Sequence, residues 1–225
     1  MRVDLVLSSG FLAFSRHCGF LAAVEEAGLE VGAVGGTSSG AVVGALWAAG
    51  HRAADIGRHV RGQRPLWFAR PSVRPWTGLG SLSAFERWLE GFLPPRFSDL
   101  RHPLALGVVT RDGQHRLVTE GPLARAVTAS CAMPWVFSPV EVEGQVYADG
   151  GAGDRLGLGA FRSWRPGTHV LAHWVERTAG RDVEADVEDV TVVRTPRSGA
   201  SFFSLGAFDA QVDEARRITR AAIPR

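Results

Sequence analysis

The uncharged run Val31 to Gly50 most constrains how this chain can fold. Twenty residues without a charge are long enough to cross a bilayer as a helix. The content argues against that reading. Six glycines (Gly32, Gly35, Gly36, Gly40, Gly44 and Gly50) and the cluster Thr37-Ser38-Ser39 interrupt the apolar residues. A buried strand, a sharp turn and a buried helix account for the run better. Arg2 to Leu7 is a Val- and Leu-rich strand, and the next segment reads as a helix that ends near Gly28, a suitable C′ glycine. Strand, helix, strand and helix within 50 residues imply a βαβ start and a parallel sheet.

Further along, Ala53 to Val60 reads as a short helix. Arg61 to Gly80, with Pro65, Pro71 and Pro75, reads as a loop. Ser83 and Glu86 fit a capping box that opens a helix with Phe85, Trp88, Leu89 and Phe92 on one face. Two hairpins are expected, around Arg111-Asp112-Gly113-Gln114 and around Glu143-Gly144-Gln145, with Leu123 to Cys131 as a helix between them. Thr168 to Val175 and Val190 to Val193 read as late strands. Phe208, Val212, Ala215 and Ala222 line a terminal helix. The chain has no internal repeat or linker, so one α/β domain over residues 1–225 is expected.

Composition removes several chemistries. The chain has no lysine and no asparagine, and its 25 basic residues are all arginine. A lysine base, a lysine Schiff base and an asparagine oxyanion donor are therefore excluded. The net charge of +2 is too small to argue for nucleic acid, and no recognised nucleic-acid module is present. Cys18 and Cys131 make neither a disulfide framework nor a metal site. No metal and no cofactor are expected. Asp4 and the Ser8-Ser9-Gly10 break argue against a signal peptide, so a cytoplasmic protein is expected.

Gly36-Thr37-Ser38-Ser39-Gly40 matches G-x-S-x-G where that pattern has mechanical meaning. A tight strand-to-helix turn lifts the central serine out of the fold, and small neighbours permit the strained backbone. The helix start offers N–H groups to a developing oxyanion. Ser38 is thus the candidate nucleophile and the Ser39 N–H a candidate donor. Only 37 residues precede Ser38, too few for the strands that come before this elbow in α/β-hydrolases. No flanking motif marks His169 or His173 as its base. Asp149-Gly150-Gly151 follows the second hairpin, and its glycines permit a turn that aims a carboxylate back at the sheet.

Together these motifs resemble the patatin-like phospholipase family, over the chain to about residue 160. Leu5-Val6-Leu7-Ser8 is similar to its first strand, and His17, Gly19 and Leu21 to Gly28 to the helix that follows. Gly36 to Ala41 resembles its nucleophile elbow. Ala129 to Pro134, Val136 to Val140 and Tyr147-Ala148-Asp149-Gly150-Gly151 resemble its second motif and the run before it. The resemblance implies a three-layer α/β/α sandwich with a mostly parallel sheet. It also implies a Ser38–Asp149 dyad without histidine, hydrolysing lipid acyl esters as a phospholipase or esterase. Gly36, Gly40, Gly150 and Gly151 would support the two motifs, and Gly10, Phe11 and Ser39 would form the oxyanion hole.

Two departures are visible. The family's oxyanion loop has three consecutive glycines, a variable residue, Arg or Lys, and glycine. Here the run reads Ser9-Gly10-Phe11-Leu12-Ala13-Phe14, with one glycine left and no basic residue. A misplaced donor costs about 3–4 kcal/mol of transition-state stabilisation. After the second motif, Ala152-Gly153-Asp154-Arg155 stands where the family often has asparagine and proline. A catalytically silent lipid-binding or regulatory relative is therefore one alternative, and an acyltransferase or thioesterase using the same serine is another. Arg61 to Gly80 mixes Arg61, Arg64, Arg70 and Arg74 with Trp67, Phe68 and Trp76. A loop packed by its own aromatics is the plainer reading. A lid over an acyl chain, or peripheral contact with a membrane surface, is the alternative.

Overall fold

A computed structural model describes residues 2–63, 69–72, 78–183 and 188–223. In chain order the elements are β1 (Arg2–Leu7), α1 (Phe14–Glu26), β2 (Glu30–Thr37), α2 (Ser39–Ala48), α3 (Ala53–Arg61), β3 (Arg70–Pro71) and β4 (Gly80–Ser81). There follow α4 (Ser83–Glu90), β5 (Leu104–Thr110), β6 (His115–Val118), α5 (Leu123–Ser130), β7 (Val140–Val142) and β8 (Gln145–Asp149). The last elements are α6 (Leu158–Trp164), β9 (Val170–Val175), β10 (Val190–Thr195) and α7 (Phe208–Ala222).

The main sheet runs in the order β10-β9-β1-β2-β5-β8-β7, with β6 also paired to β5. Contacts from β10 to β5 are parallel, and those of β5 with β6 and β8, and of β7 with β8, are antiparallel. The sheet is therefore mixed and mostly parallel, flanked by helices as expected. The chain builds outward from β1 in one direction through β2 and β5, then returns to the other side of β1 with β9 and β10. The end of β1 is thus a topological switch point, where α/β sheets open a crevice beyond their strand ends.

Alternation along β1 divides the core. Val3, Leu5 and Leu7 face the larger cluster, which holds Phe20 and Leu21 of α1, Val42 and Leu46 of α2, and Val127 of α5. Val6 faces a smaller cluster with Ala33, Ala105, Ala172 and Phe161 of α6. Small residues on that second face let Phe161 approach β2: a Cβ on Gly35 would lie 2.6 Å from its ring.

The uncharged run resolves into β2, the Ser38 turn and α2. Nine of the ten residues of α2 are buried, so polar residues have no solvent face to occupy. No helix among the described residues is long and apolar enough to cross a membrane. Gly28 (φ 61°) ends α1 as its spacing predicts. The capping box at Ser83 does not form. Leu82 is the cap residue, and Ser83 instead donates its backbone N–H to the Ser81 hydroxyl. The loop reading of Arg61 to Gly80 is modified by the short antiparallel pair β3–β4. Arg64, Trp67, Phe68, Arg74 and Trp76 lie outside the described residues.

Candidate active site

Ser38 joins β2 to α2 with φ 54° and ψ −117°. For a residue with a side chain this conformation costs about 1–3 kcal/mol. The surroundings hold it. The Ser38 N–H donates to Ser130 Oγ at 2.9 Å, and Ser130 Oγ–H donates to the Gly107 carbonyl at 2.7 Å. The Ser38 carbonyl accepts from Val42 N–H at 3.1 Å and from the Cys131 thiol at 3.4 Å. The turn is also tightly packed. A Cβ on Gly36 would meet the Gly40 carbonyl oxygen at 2.5 Å, and one on Gly40 would meet the Leu7 carbonyl oxygen at 2.3 Å. Both glycines are therefore required by close backbone approach.

Asp149 ends β8. Its backbone N–H donates to the Ala132 carbonyl at 2.9 Å, and its Oδ1 accepts from Gly151 N–H at 2.8 Å. Gly150 lies against β5, where a Cβ would meet the Gly107 carbonyl oxygen at 2.3 Å, and a Cβ on Gly151 would meet Ser9 Oγ at 2.5 Å. The carboxyl is buried, 4% exposed. Burial pushes its pKa up to about 6, against the opposing hydrogen bonds from the Ser38 side chain and the Gly151 N–H. Fold and turn thus bring Ser38 and the Asp149 carboxyl to one cavity.

The expected oxyanion donors lie beside them. Gly10, Phe11, Ser38, Ser39 and Asp149 all line one cavity of about 740 Å³. Among the described residues the Gly10 and Phe11 N–H groups have no partner within the fold. The departures from three glycines have a limited structural consequence. Across Ser9 to Phe14 only Leu12 adopts a positive φ, 48°, so no glycine is needed for conformation at Ser9 or Phe11. Gly10 is needed for space, since a Cβ there would lie 2.9 Å from the Ala13 Cβ. The Phe11 carbonyl accepts from the Ser198 hydroxyl, which ties the loop to the chain before α7.

The cavity is predominantly apolar. Leu82, Phe85, Trp88 and Phe137 contribute to its wall, and Leu79, Trp135 and Phe202 reach solvent. Arg70 and Asp149 are the charged residues among its described lining. From Arg61 to Gly80, the described Gln63, Ala69, Arg70, Pro71, Leu79 and Gly80 line this cavity.

Histidine stands behind the site, not in it. His17 Nε2 is 3.3 Å from Ser39 Oγ, His17 Nδ1 is 2.8 Å from His173 Nδ1, and His173 Nε2 is 3.0 Å from Thr195 Oγ1. Burial holds His17 down to about 3, and His173 well below the usual range. These neutral rings form a buried hydrogen-bonded chain under α2. His169 pairs with Thr191 at 2.9 Å. Cys18 and Cys131 are free thiols; burial raises the first to about 12 and the second well above its ordinary value. Ser130 and Cys131 lie in the run Ala129 to Pro134 that carries the family resemblance, but nothing in the sequence assigned them their contacts with Ser38.

The patatin-like phospholipase family model matches residues 5–162. The chain belongs to the patatin-like phospholipase family. It is 30% identical over 223 residues to an NTE family protein of Mycobacterium tuberculosis, covering 94% of this chain and 60% of that protein. It is also 30% identical over 158 residues to the neuropathy target esterase sws of Drosophila melanogaster, covering 66% of this chain and 11% of that protein. This patatin-like chain therefore spans 60% or less of the length of these two curated relatives. Among solved structures, VipD from Legionella pneumophila is similar with a TM-score of 0.56 at 13% identity, over 98% of this chain and 67% of that one. ExoU from Pseudomonas aeruginosa, in complex with SpcU, is similar with a TM-score of 0.55 at 14% identity, over 98% and 52%. Those two likenesses show the fold.

Proposed function

We propose that this patatin-like chain is a serine hydrolase of lipid acyl esters and that Ser38 and Asp149 are its catalytic dyad, with residues 1–225 forming one catalytic domain. The reading is carried by one observation: a serine on a strained strand-to-helix turn shares an apolar cavity with a buried carboxyl whose pKa is raised to about 6. A carboxylate at its ordinary pKa near 4 is a weak base. Desolvation narrows its gap to the serine hydroxyl and makes proton transfer less uphill.

In the proposed reaction Ser38 Oγ attacks the acyl carbonyl and Asp149 takes its proton. Negative charge develops on the carbonyl oxygen, which the Gly10, Phe11 and Ser39 N–H groups stabilise. The tetrahedral intermediate collapses, the alcohol leaves with the proton from Asp149, and an acyl-serine remains. Asp149 then takes a proton from water, whose oxygen attacks the acyl carbon; as the acyl–Oγ bond breaks, Asp149 returns that proton to Ser38 Oγ and the carboxylic acid is freed. The apolar cavity suits a hydrocarbon acyl chain.

The test is labelling by a fluorophosphonate probe, together with hydrolysis of a p-nitrophenyl acyl ester, in the wild type and Ser38→Ala. Labelling and turnover that both disappear in Ser38→Ala support the dyad. Substantial hydrolysis by purified Ser38→Ala refutes the assignment, and an unlabelled, inactive but folded wild type favours a silent lipid-binding relative.

A further inference from the structure

Arg155 is the largest fully buried side chain of the described residues. It lies four residues after Gly151 and does not line the cavity. Its guanidinium Nη2 donates to the Ser9 carbonyl at 2.8 Å and to the Val175 carbonyl at 2.6 Å. Nη1 donates to Asp182 Oδ1 at 2.8 Å. Its backbone carbonyl accepts from Ser9 N–H at 2.7 Å. Both backbone polar groups of Ser9 therefore end on Arg155.

That arrangement fixes more than Ser9. The Ser9 carbonyl and the Gly10 N–H belong to one planar trans peptide, in which they point in opposite directions. Drawing the carbonyl down onto the guanidinium turns the Gly10 N–H away from Arg155. Ser9 and Gly10 line the cavity, and Arg155 lies beneath them. The same residue reaches the Asp149 turn through a strap. Arg155 N–H donates to the Arg181 carbonyl at 2.7 Å, and Arg181 N–H donates to the Gly151 carbonyl at 3.0 Å. Gly180 (φ 91°) lets the strap pass, since a Cβ there would lie 2.4 Å from the Gly151 carbonyl oxygen and 2.9 Å from Arg155 Cγ.

We infer that Arg155 is a positioning residue for acyl transfer. It aims the Gly10 N–H at the oxyanion and ties the oxyanion loop to the Asp149 turn. This rests on the Ser38–Asp149 reading above. It assigns to a buried arginine, 146 residues away in the chain, the support of a loop that has no basic residue of its own.

The test compares full-length wild type, Arg155→Lys, Arg155→Met and Asp182→Asn in hydrolysis of p-nitrophenyl butyrate and in binding of a trifluoromethyl ketone, a mimic of the tetrahedral adduct. A lost or misaimed oxyanion donor acts in the transition state. Arg155→Met is expected to lower kcat by about 10- to 100-fold with KM within about twofold, and to weaken the ketone in parallel. Arg155→Lys is expected to recover part of the loss. A kcat unchanged in folded Arg155→Met overturns the inference, as does a fall explained by a smaller folded fraction. If Arg155→Met does not fold, Arg155→Lys and Asp182→Asn decide. A lower kcat at constant KM supports the inference, and a wild-type kcat in both overturns it. A wild type that neither turns over nor labels at Ser38 overturns the dyad reading and this inference with it. An active wild type indifferent to Arg155 overturns this inference alone.

Discussion

Thr37 and Asp149 pair with consecutive residues on one edge of the same strand, Thr37 with Gly107 and Asp149 with Val108. The end of β2 and the end of β8 thus meet head-on along β5. Ser38, the next residue after Thr37, is delivered to the carboxyl of Asp149 by sheet register. Ser130 binds the same place, since its hydroxyl spans the Ser38 N–H and the Gly107 carbonyl.

The raised pKa of Asp149 sets the direction of a pH–rate profile. As the proposed base, Asp149 must be ionised, so kcat/KM for a neutral ester should rise as pH passes through about 6 and level above 7. Activity at pH 5 should be roughly tenfold below the plateau. Full activity at pH 4.5 would exclude Asp149 as the base.

The same burial carries a stability cost. The folded pKa of about 6 lies above the ordinary 3.8. Between those values the folded state holds more protons than the unfolded one, so stability falls as pH rises through that window. Above pH 6 the cost is on the order of 3 kcal/mol. Asp149→Asn should therefore raise the midpoint of urea unfolding at pH 7.5, and the gain should vanish near pH 4. Equal midpoints at both pH values would contradict this.

His17 and His173 act in the opposite direction. Their folded pKa values lie below 6.5, so the unfolded state binds protons first and stability falls as pH drops below about 6.5. His17, held down to about 3, accounts for about 2 kcal/mol of loss by pH 5. The Asp149 contribution masks part of this. In Asp149→Asn the fall from pH 7 to pH 5 should be larger than in the wild type, and urea titrations at the two pH values measure it. A flat stability profile in that variant would mean that the rings do not remain neutral.

Two glycines make a contrasting pair. Gly40→Ala would place a Cβ 2.3 Å from the Leu7 carbonyl oxygen and 2.7 Å from that of Ser8. Backbone cannot yield there without moving β1 against α2, so a loss of about 3 kcal/mol or more is expected. Gly62 has φ −72° and open space at its Cβ position. Gly62→Ala should stabilise by about 0.4–1 kcal/mol through the unfolded state. Thermal melts of the two variants should move in opposite directions.

Local features were legible without a structure. The uncharged run announced α2 because a helix buried on nearly every side has no use for a charge, and Gly28 marked the end of α1. The elbow was legible because its strain and its small neighbours lie within five consecutive residues, Gly36 to Gly40. The capping box at Ser83 failed because the packing of Leu82, Phe85 and Leu89 against the core sets where α4 begins, and a hydrogen bond at its exposed start is too weak to shift that boundary.

What sequence determined by itself was the elbow, the two hairpins, the family pattern and the candidate serine and aspartate. Tertiary structure alone decided their meeting along β5, the His17–His173 chain across 156 residues, and the Arg155–Ser9 clamp across 146. The physical reason is range. Periodicity and turn chemistry act over a few residues, while a buried polar side chain takes whatever partner the packed sheet places beside it. Nothing near Arg155 in the chain announces that its guanidinium will lie under Ser9.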